Sequence, residues 1–292
     1  MPCVKGILLS GGAGTRLYPL TQVACKQLQP IYDKPMVYYP LSTLIENGVR
    51  EICLISTPDD LPRFERLFGD GGRWGLRIAY RVQPRPAGIA QALLIAEDVV
   101  GGHPTALILG DNLFYAGDAL ASAFREHRSG ATIFGYQVRS PERYGVVEID
   151  HTGKVLGIEE KPARPKSNLA VPGLYLLDER APELAAALVP SARGELEITD
   201  LLQKYLELDA LSARTLARGT AWLDAGTSSS LHAASAFVQT LEKRQGVKLG
   251  CPEEAAFRRG FIGVEELAVL VAAMPECEYR GYLASVLAEA RL

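Results

Sequence analysis

A glycine-rich segment at residues 11–16, with the sequence GGAGTR, could bind a phosphate group. Glycines let backbone N–H groups point into a common concavity that suits an anion, and Arg16 adds a forked cation that matches phosphate oxygens. The glycines alone are equally typical of a tight structural turn, but Thr15 and Arg16 directly after them favour a phosphate site. The segment lacks the Gly-Lys-Ser/Thr of a Walker A loop and the third glycine of a dinucleotide fingerprint, so neither of those motifs is predicted.

Two aspartates that follow strand-like runs could hold a metal ion. Asp111 ends the run in LILGD, and Asp224 ends the run in AWLD. Carboxylates in such positions can hold Mg²⁺ against phosphate oxygens, although an isolated aspartate after a strand is also common as a helix cap or turn residue. Two lysines, Lys26 in CKQLQP and Lys161 in EEKP, are further candidates. Most lysines are solvated surface residues, and it is the residues accompanying these two that single them out.

The elements that must position these residues alternate regularly in the first half of the chain. Short apolar runs predict strands, and the amphipathic segments between them predict helices that end at glycines. The predicted strands are 6–10, 51–57, 78–83 and 105–110, and the predicted helices are 36–47, 61–68 and 89–100. This order predicts right-handed βαβ crossovers and a mainly parallel sheet. The glycine segment and Asp111 would then lie at the carboxyl ends of strands, where ligands collect.

The second half of the chain predicts additions to this sheet. Closely spaced strands are predicted at 131–138, 145–150, 154–159 and 171–177, and they should add antiparallel pieces. The proline-rich segment 161–166 predicts an exposed loop that borders the site, and helices are predicted at 228–245 and 264–273.

The fold class predicted from these elements is α/β. We expect a Rossmann-like open, mainly parallel mixed sheet flanked by helices, with antiparallel additions and a C-terminal helical appendage. Residues 1–226 would form the core, and residues 227–292 would form a helical segment packed on it.

The composition excludes several other classes of protein. A net charge of -3 argues against a dedicated nucleic-acid binder. No apolar run approaches the roughly 20 residues that cross a bilayer, and no signal-peptide pattern precedes the glycine segment. The cysteines are odd in number and scattered, unlike a disulfide framework or a zinc site: Cys3, Cys25, Cys53, Cys251 and Cys277. We therefore expect a cytoplasmic protein without nucleic-acid or membrane partners.

Taken together, these segments resemble the sugar-nucleotide pyrophosphorylases, and within them the glucose-1-phosphate thymidylyltransferases. The likeness covers nearly the whole chain. Its longest segments are GGAGTRLYPLT at 11–21, YDKPM at 32–36, DDLPRF at 59–64, LGDN at 109–112, PERYGVVE at 141–148, EEKP at 159–162, SARGELEITD at 191–200 and WLD at 222–224. The first of these marks the superfamily, and the set marks the thymidylyltransferase branch.

The resemblance implies a reaction and a set of catalytic residues. An oxygen of glucose 1-phosphate would attack the α-phosphorus of dTTP and give dTDP-glucose and pyrophosphate, the first step toward dTDP-deoxysugars such as dTDP-rhamnose. Arg16 and Lys26 would clamp the triphosphate together with Mg²⁺, and Lys161 would hold the sugar phosphate. Asp111 and Asp224 would hold the Mg²⁺. Such a transfer needs positioning and charge neutralisation rather than a protein nucleophile, because a phosphate monoester is already anionic.

The resemblance also implies which residues bind each substrate. The nucleotide would contact Gly11, Gly12, Gly14, Thr15, Arg16, Lys26, Gln27, Gln83, Gly88 and Asp111. The sugar would contact Asn112, Tyr144, Gly145, Glu160, Lys161, Val171 and Trp222. The amides of Gln27 and Gln83 can both donate and accept, as the thymine edge requires. For Tyr144 and Trp222, packing in the core or at the rim is an equally good interpretation.

The resemblance further implies a homotetramer with a second nucleotide site for feedback by a downstream dTDP-sugar. The candidate residues for that site are Cys251, Glu254 and Arg258. Glu254 and Arg258 are four residues apart on a predicted helix, so they could equally form a plain intrahelical ion pair.

The sequence departs from the family pattern at three positions. Ala87 stands where an acidic residue is common, Ala225 stands where a threonine usually follows the metal-binding aspartate, and Cys25 replaces a common serine. The first two border the site and bear on base selectivity or turnover. None of them removes a charged member of the predicted site.

Three alternative functions stay open at this point. The same chemistry could use UTP or another sugar phosphate, because a fold does not fix the substrate. A catalytically silent relative could bind nucleotide sugars as a regulatory subunit, although it should then have lost a clamping cation or a metal carboxylate. A dinucleotide-dependent oxidoreductase would need an acidic residue at the end of the second strand, where the sequence has Ser56, Thr57 and Pro58.

Overall fold

Apolar strands build one large mixed sheet at the centre of the molecule. The computed structural model describes residues 4–12 and 14–291, so Cys3 and Ala13, which belong to the cysteine set and the glycine segment above, lie outside the described residues. The described strands are β1 (Lys5–Leu9), β2 (Pro30–Ile31), β3 (Lys34–Pro35), β4 (Glu51–Ser56), β5 (Arg77–Val82), β6 (Thr105–Leu109), β7 (Asn112–Tyr115), β8 (Ala131–Gln137), β9 (Gly145–Ile149), β10 (Val155–Glu160), β11 (Leu169–Ala170), β12 (Leu174–Leu177), β13 (Leu211–Thr215) and β14 (Ala221–Asp224).

Helices connect these strands and follow the last of them. They are α1 (Tyr38–Glu46), α2 (Leu61–Phe68), α3 (Gln91–Ile95), α4 (Glu97–Val100), α5 (Asp118–Glu126), α6 (Ala181–Ala186), α7 (Ile198–Glu207), α8 (Ser228–Gln245), α9 (Pro252–Arg258), α10 (Val264–Ala273) and α11 (Glu278–Glu289). Three-residue 3₁₀ turns lie at Thr15–Leu17, Leu20–Gln22, Lys26–Leu28, Gly72–Trp74 and Pro141–Arg143. Within the described part of the chain, no helix combines the length and the apolar character that crossing a bilayer requires.

The sheet has a parallel half and a mixed half. Its strand order is β10-β9-β11-β8-β12-β6-β1-β4-β5, with β13 beside β8. Strands β6, β1, β4 and β5 are mutually parallel, whereas β12 runs antiparallel to both β6 and β8. The predicted fold, a mainly parallel mixed sheet flanked by helices with antiparallel additions and C-terminal helices, is confirmed.

Both faces of the central strands are buried, which explains why their sequences are continuously apolar. Successive side chains of a strand point to opposite faces, and in β1 Ile7 and Leu8 are both fully buried in different clusters. Leu8 packs with the α1 and α2 side, which includes Leu44 and Phe64. Ile7 packs in the cluster on the opposite face, beside Leu201 of α7.

The carboxyl ends of β1 and β6 lie side by side, and this brings the predicted ligand segments together. Leu9 pairs with Leu109 in the parallel register, and the N–H of Gly110 donates to the carbonyl of Leu9 at 2.8 Å. The chain crosses from β1 to β4 on one side and reaches β6 on the other, which is the type of strand-order reversal where α/β sheets bind ligands.

The helices after residue 226 share the buried core of the sheet. Leu267 of α10 and Leu283 of α11 are fully buried in the same cluster as Leu44 of α1. Helix α8 lies against β2 and β14. The predicted boundary at residue 226 stays a prediction, because these contacts describe packing rather than independent folding.

A buried group of charges anchors α8 to the β2–β3 hairpin. Nζ of Lys34 lies 2.9 Å from Oε1 of Glu242, and Nζ of Lys248 lies 2.9 Å from Oε2 of the same carboxylate. Lys248 also pairs with Asp33. Burial opposes ionisation of Asp33, but its bonds to Lys248 and Lys34 outweigh this and lower its pKa. Because each charge is paired, the cluster can remain buried beneath the hairpin.

Candidate active site

The glycine segment leaves β1 as a tight loop that only small residues can form. Gly14 has a φ of 58°, and a Cβ atom there would lie 2.7 Å from Cγ2 of Thr21. At Gly11, a Cβ atom would lie 2.8 Å from Oε1 of Gln83. A side chain at Gly11 would have to displace the Gln83 amide, and the left-handed conformation of Gly14 favours glycine.

Two adjoining chambers open at the carboxyl ends of the parallel strands. The first, which we term the loop chamber, has a volume of about 240 Å³ and is lined by Leu9, Gly11, Gly12, Lys26, Gln27, Gln83, Pro86, Gly88, Ile89, Leu109, Asp111, Glu160, Lys161, Arg193, Glu195 and Glu197. The second, the tryptophan chamber, has a volume of about 250 Å³ and is lined by Arg16, Ile89, Leu109, Asp111, Asn112, Arg143, Tyr144, Gly145, Glu160, Lys161, Val171, Gly173, Tyr175, Ile198, Thr199, Leu202, Trp222 and Asp224.

The residues predicted to contact the nucleotide and those predicted to contact the sugar line largely different chambers. All seven residues predicted to contact the sugar line the tryptophan chamber. Of the residues predicted to contact the nucleotide, Gly11, Gly12, Lys26, Gln27, Gln83, Gly88 and Asp111 line the loop chamber. Gly14 and Thr15 line neither chamber, and Arg16 lines the tryptophan chamber instead. Asp111, Glu160 and Lys161 are common to both and mark the boundary.

Lys26 and Asp111 meet at this boundary as an ion pair. Nζ of Lys26 contacts Oδ2 of Asp111, and both side chains are largely withdrawn from solvent. The other carboxylate oxygen of Asp111 accepts a hydrogen bond from Nδ2 of Asn112 at 2.9 Å. The short β7–β14 ladder then brings Asp224 opposite Asn112. Two carboxylates that are distant in sequence are thereby held in neighbouring positions.

Arg16 lies beside the second of these carboxylates. A Cβ atom on Gly226 would lie 3.0 Å from Nη2 of Arg16 and 3.2 Å from Oδ1 of Asp224. The N–H of Gly226 donates to the same Oδ1 at 3.0 Å. Burial and the nearby Asp224 carboxylate both raise the pKa of Tyr144, which keeps this phenol protonated as a donor.

The two aspartates form a donor set that suits a hard divalent cation. Carboxylate oxygens are the ligands that Mg²⁺ prefers, and in phosphate-binding sites it usually takes one or two carboxylates and completes its shell with phosphate oxygens and water. Within residues 4–12 and 14–291, no group of three or more His, Cys, Asp or Glu side chains is arranged to hold a metal. A shared ion at Asp111 and Asp224 would therefore take its remaining ligands from a bound substrate and water.

Asn112 connects the first carboxylate to the floor of the tryptophan chamber. Its amide oxygen accepts from Nε1 of Trp222 at 2.6 Å and from the N–H of Gly173 at 2.9 Å. Trp222 in turn packs edge to face against Tyr144, with ring centroids 5.1 Å apart. Both interpretations left open for Tyr144 and Trp222 are thus compatible with the structure, since the two rings pack together and also line the chamber.

Two glutamines lie on the wall of the loop chamber. Gln27 is only 3% exposed, and its Nε2 donates to the carbonyl of Gly11 at 3.1 Å. Its amide oxygen is buried without a hydrogen-bond partner. Nε2 of Gln83 donates to Oε1 of Gln91 at 2.8 Å. A buried acceptor without a partner is unfavourable unless a ligand or water satisfies it, so Gln27 is well placed to read a donor on a bound molecule.

A charged loop that we did not include among the site residues closes the far side of the loop chamber. Arg193 lines it together with Glu195 and Glu197, and Nη2 of Arg193 lies 2.9 Å from Oε1 of Glu197. Leu196, in the same loop, is bonded through its backbone to Ala87 and Ala90. The SARGELEITD segment quoted above contained these residues, but their spacing carries no local signal for a binding loop.

The charges of the two chambers balance. Among the described residues that line them, five are cations and five are carboxylates. Lys161 illustrates the pairing: its Nζ lies 2.7 Å from Oε1 of Glu160, and its backbone has a φ of 43°, in the left-handed region. A polyanion that enters such a neutral site is fully compensated only with an added cation.

The residues predicted for a regulatory site lie away from both chambers. Cys251 and Glu254 are buried, at 3% and 8% exposure. Glu254 accepts from Nε of Arg258 at 2.7 Å and from the hydroxyl of Tyr282 at 2.5 Å. The intrahelical ion pair is therefore formed within α9, and the hydrogen bond from Tyr282 joins α9 to α11. The four described cysteines are free, Cys251 among them.

The chain is similar to known proteins over nearly its whole length. A family model described as nucleotidyl transferase matches residues 5–240. A glucose-1-phosphate thymidylyltransferase from Xanthomonas campestris pv. campestris is 53% identical over 285 residues, which cover 97% of this chain and 96% of that protein. A protein of the same name from Mycolicibacterium smegmatis is 52% identical over 286 residues, which cover 97% of this chain and 99% of its own length.

Solved structures share the architecture. A Bacillus anthracis protein assigned as a glucose-1-phosphate thymidylyltransferase, crystallised in complex with sucrose, is 40% identical with a TM-score of 0.75, covering 80% of this chain and 94% of that chain. A UDP-glucose pyrophosphorylase crystallised with UDP-glucose has a TM-score of 0.72 at 24% identity, covering 82% of this chain and 99% of that chain. The second likeness concerns the fold alone.

Proposed function

The chain belongs to the nucleotidyl transferase family, and from this we propose that it transfers a thymidylyl group from dTTP to glucose 1-phosphate, with dTDP-glucose and pyrophosphate as products. The observation that carries the proposal is the pair of adjoining chambers that share Asp111, Glu160 and Lys161. A transfer between two substrates requires both to meet at one boundary with their reacting atoms in line. The charged residues at this boundary are those that such a meeting needs.

The chain's own residues supply positioning and charge compensation. The phosphate of glucose 1-phosphate is anionic at neutral pH, so no residue is needed to deprotonate it. Lys161, at the boundary, would hold that phosphate in the tryptophan chamber and direct one oxygen at the α-phosphorus. Lys26 and Arg16 would bind the triphosphate oxygens from two sides, and Arg193 adds a forked cation on the loop side. These cations stabilise charge that accumulates on phosphate oxygens in the transition state.

Asp111 and Asp224 would hold a bound Mg²⁺, because they lie in neighbouring positions and offer the hard oxygen donors that this ion prefers. When bound there, the ion would neutralise triphosphate charge and polarise the α-phosphate. Asn112 fixes the orientation of Asp111 through its 2.9 Å hydrogen bond, and the N–H of Gly226 fixes that of Asp224 at 3.0 Å.

Glucose would occupy the tryptophan chamber. Glu160, Gly145 and Val171 line its wall. The N–H of Val171 already donates to the carbonyl of Gly145 at 2.8 Å, so the carboxylate of Glu160 offers the acceptors for sugar hydroxyls. Trp222 and Tyr144 present ring surface to the less polar side of the sugar. Asn112 has one amide hydrogen not used by Asp111, and this hydrogen can donate to a hydroxyl.

Thymine would occupy the loop chamber against Gln27 and Gln83. The unpartnered amide oxygen of Gln27 can accept from the imide N–H of the base. The apolar side chains of Leu9, Ile89 and Leu109 line the same chamber and can contact the 5-methyl group that distinguishes thymine from uracil.

We expect dTTP to be used in preference to UTP. One methyl group in an apolar contact is worth about tenfold in kcat/KM. We therefore expect dTTP to exceed dUTP, which differs by that methyl alone, by about tenfold, and to exceed UTP, which also carries a 2′-hydroxyl. The measurement is pyrophosphate release with glucose 1-phosphate and each nucleotide in turn. CTP is the control, because cytosine lacks the imide N–H that Gln27 would accept from. Faster turnover with UTP than with dTTP would contradict the thymidylyl assignment and favour uridylyl transfer.

Several further features of the proposal rest on the family resemblance. We propose a cytoplasmic homotetramer that supplies dTDP-glucose for deoxysugars such as dTDP-rhamnose. We also propose that the C-terminal segment 227–292 carries a regulatory nucleotide site near Cys251, Glu254 and Arg258. The silent regulatory relative is the second candidate, and it is disfavoured because the cations and carboxylates of the clamp are all present. Tight dTDP-glucose binding without turnover would favour it.

A further inference from the structure

Each carboxylate oxygen of Asp111 is engaged by one of the chain's own side chains. Its Oδ2 contacts Nζ of Lys26, and the two side chains are 16% and 14% exposed. Its Oδ1 accepts from Nδ2 of Asn112 at 2.9 Å. The carboxylate proposed to bind a divalent cation is therefore already neutralised, and it is neutralised by a residue proposed to bind the triphosphate.

The other four cations that line the two chambers have different neighbours. Lys161 pairs with Glu160 at 2.7 Å, and Arg193 pairs with Glu197 at 2.9 Å. Arg16 lies beside Asp224, and Arg143 lies over the ring of Tyr144. Among the described residues that line the two chambers, Lys26 is thus the cation that compensates Asp111. A divalent cation cannot approach the same carboxylate oxygen closely while the ammonium is there, because two cations in a half-buried site repel each other strongly.

We propose that Lys26 holds the place of the divalent cation on Asp111 until a nucleotide binds. The proposal rests on the proposed function, because it takes a nucleoside triphosphate as the anion that draws Lys26 away. In the free protein the metal then binds weakly, since it must displace the ammonium. Once the triphosphate has taken Lys26, Asp111 is released to the metal. Metal and nucleotide therefore bind cooperatively, and this coupling is reciprocal.

A titration of Mn²⁺ into the nucleotide-free protein tests this inference. Mn²⁺ prefers the same carboxylate ligands as Mg²⁺, and the free ion is measured by electron paramagnetic resonance. Replacing Lys26 by glutamine should lower the dissociation constant for Mn²⁺ about fivefold to tenfold, the factor expected for release of a half-buried ion pair. The variant Lys26→Met, which also removes the charge, provides the same comparison through a second side chain.

Two controls separate displacement at Asp111 from a general change in charge. Lys161→Gln removes one positive charge from the same two chambers but leaves the pair at Asp111 intact, so it should change the dissociation constant less than about twofold. Adding Asp111→Asn to Lys26→Gln should abolish the rise in Mn²⁺ affinity, because the carboxylate that Lys26 no longer occupies is then lost as a ligand. Three results would overturn the proposal: equal Mn²⁺ affinity in wild type and Lys26→Gln, an equally large rise in Mn²⁺ affinity in Lys161→Gln, or a rise in affinity that persists in the double variant.

The outcome is independent of turnover. No substrate is present in these titrations, so they report on Lys26 and Asp111 alone. Failure of the proposed function would be seen separately, as the absence of pyrophosphate when the wild-type protein is given dTTP and glucose 1-phosphate.

Discussion

Replacing Asp224 by asparagine should lower kcat for pyrophosphate release by about 10³-fold while the fold stays intact. Asparagine keeps the oxygen that accepts from the N–H of Gly226 at 3.0 Å, so the β14 end should keep its shape. It removes the negative charge that pairs with Asp111 in holding a divalent cation. Charge on the triphosphate would then lose its compensation in a site whose own charges are balanced.

The measurement is kcat at saturating substrates over a range of Mg²⁺ concentrations, together with the unfolding midpoint in urea. Asp118→Asn is the matched control, because it makes the same change on the exposed first residue of α5, outside both chambers. That control should retain full activity. Near-normal turnover of the Asp224→Asn variant would contradict the metal assignment.

Replacing Gly88 by alanine should destabilise the protein by roughly 3 kcal/mol or more and reduce kcat/KM for dTTP by about 10²-fold. Gly88 has a φ of 104°, and an added Cβ would lie 2.2 Å from the carbonyl oxygen of Leu196. Backbone cannot yield as a flexible side chain can. The contact would therefore separate the 83–88 segment from the loop that carries Arg193, and both segments line the loop chamber.

Gly102→Ala provides the control for backbone strain alone. Gly102 has a φ of 73°, but an added Cβ there would meet no atom within 4 Å. The Gly102→Ala variant should lose only about 1 kcal/mol of its free energy of unfolding, as expected for alanine in a left-handed conformation. Its kcat/KM should be unchanged. Urea unfolding of both variants and initial rates at varied dTTP supply the comparison. Equal losses of stability in the two variants would show that the contact with Leu196 has no role.

The sheet was predictable because its strands carry local signals. The first four predicted strands agree with β1, β4, β5 and β6 to within one residue at each end, and the predicted helix 61–68 has the bounds of α2. The continuous helix predicted at 89–100 is wrong in one respect, since the chain forms α3 and α4, which meet at Ala96. Apolar periodicity continues through the break, so the pattern did not reveal it.

The parts of the site geometry that the sequence did not predict depend on pairing between distant segments. The β7–β14 ladder joins residues 112–115 to residues 221–224 and brings Asp224 opposite Asn112; no local pattern encodes that register. Arg16, in the turn after the glycines, lies beside Asp224 and lines the tryptophan chamber, whereas the glycine segment alone had suggested the loop chamber. Helix α7 was not predicted either, although its buried Leu201 and Leu202 complete the core beneath the tryptophan chamber.

The types of the site residues were nevertheless readable from the sequence. Glycines after a first strand, a carboxylate after the strand beside it and a lysine within a short segment are each common, and together they predict a phosphate-binding site. The structure adds the way these residues are held before substrate binds. Asn112 orients Asp111, and Lys26 neutralises it. Such contacts depend on side-chain directions that composition and spacing do not specify.

Phosphorus NMR of a single reaction mixture tests the central claim most directly. The mixture contains the protein, Mg²⁺, dTTP and glucose 1-phosphate, and the phosphorus resonances are followed over time. We expect the signals of dTTP and glucose 1-phosphate to decline together, while pyrophosphate and the two linked phosphates of dTDP-glucose increase in equal amounts. Release of inorganic phosphate with glucose 1-phosphate unconsumed, or no change in either substrate, would contradict the assignment of thymidylyl transfer.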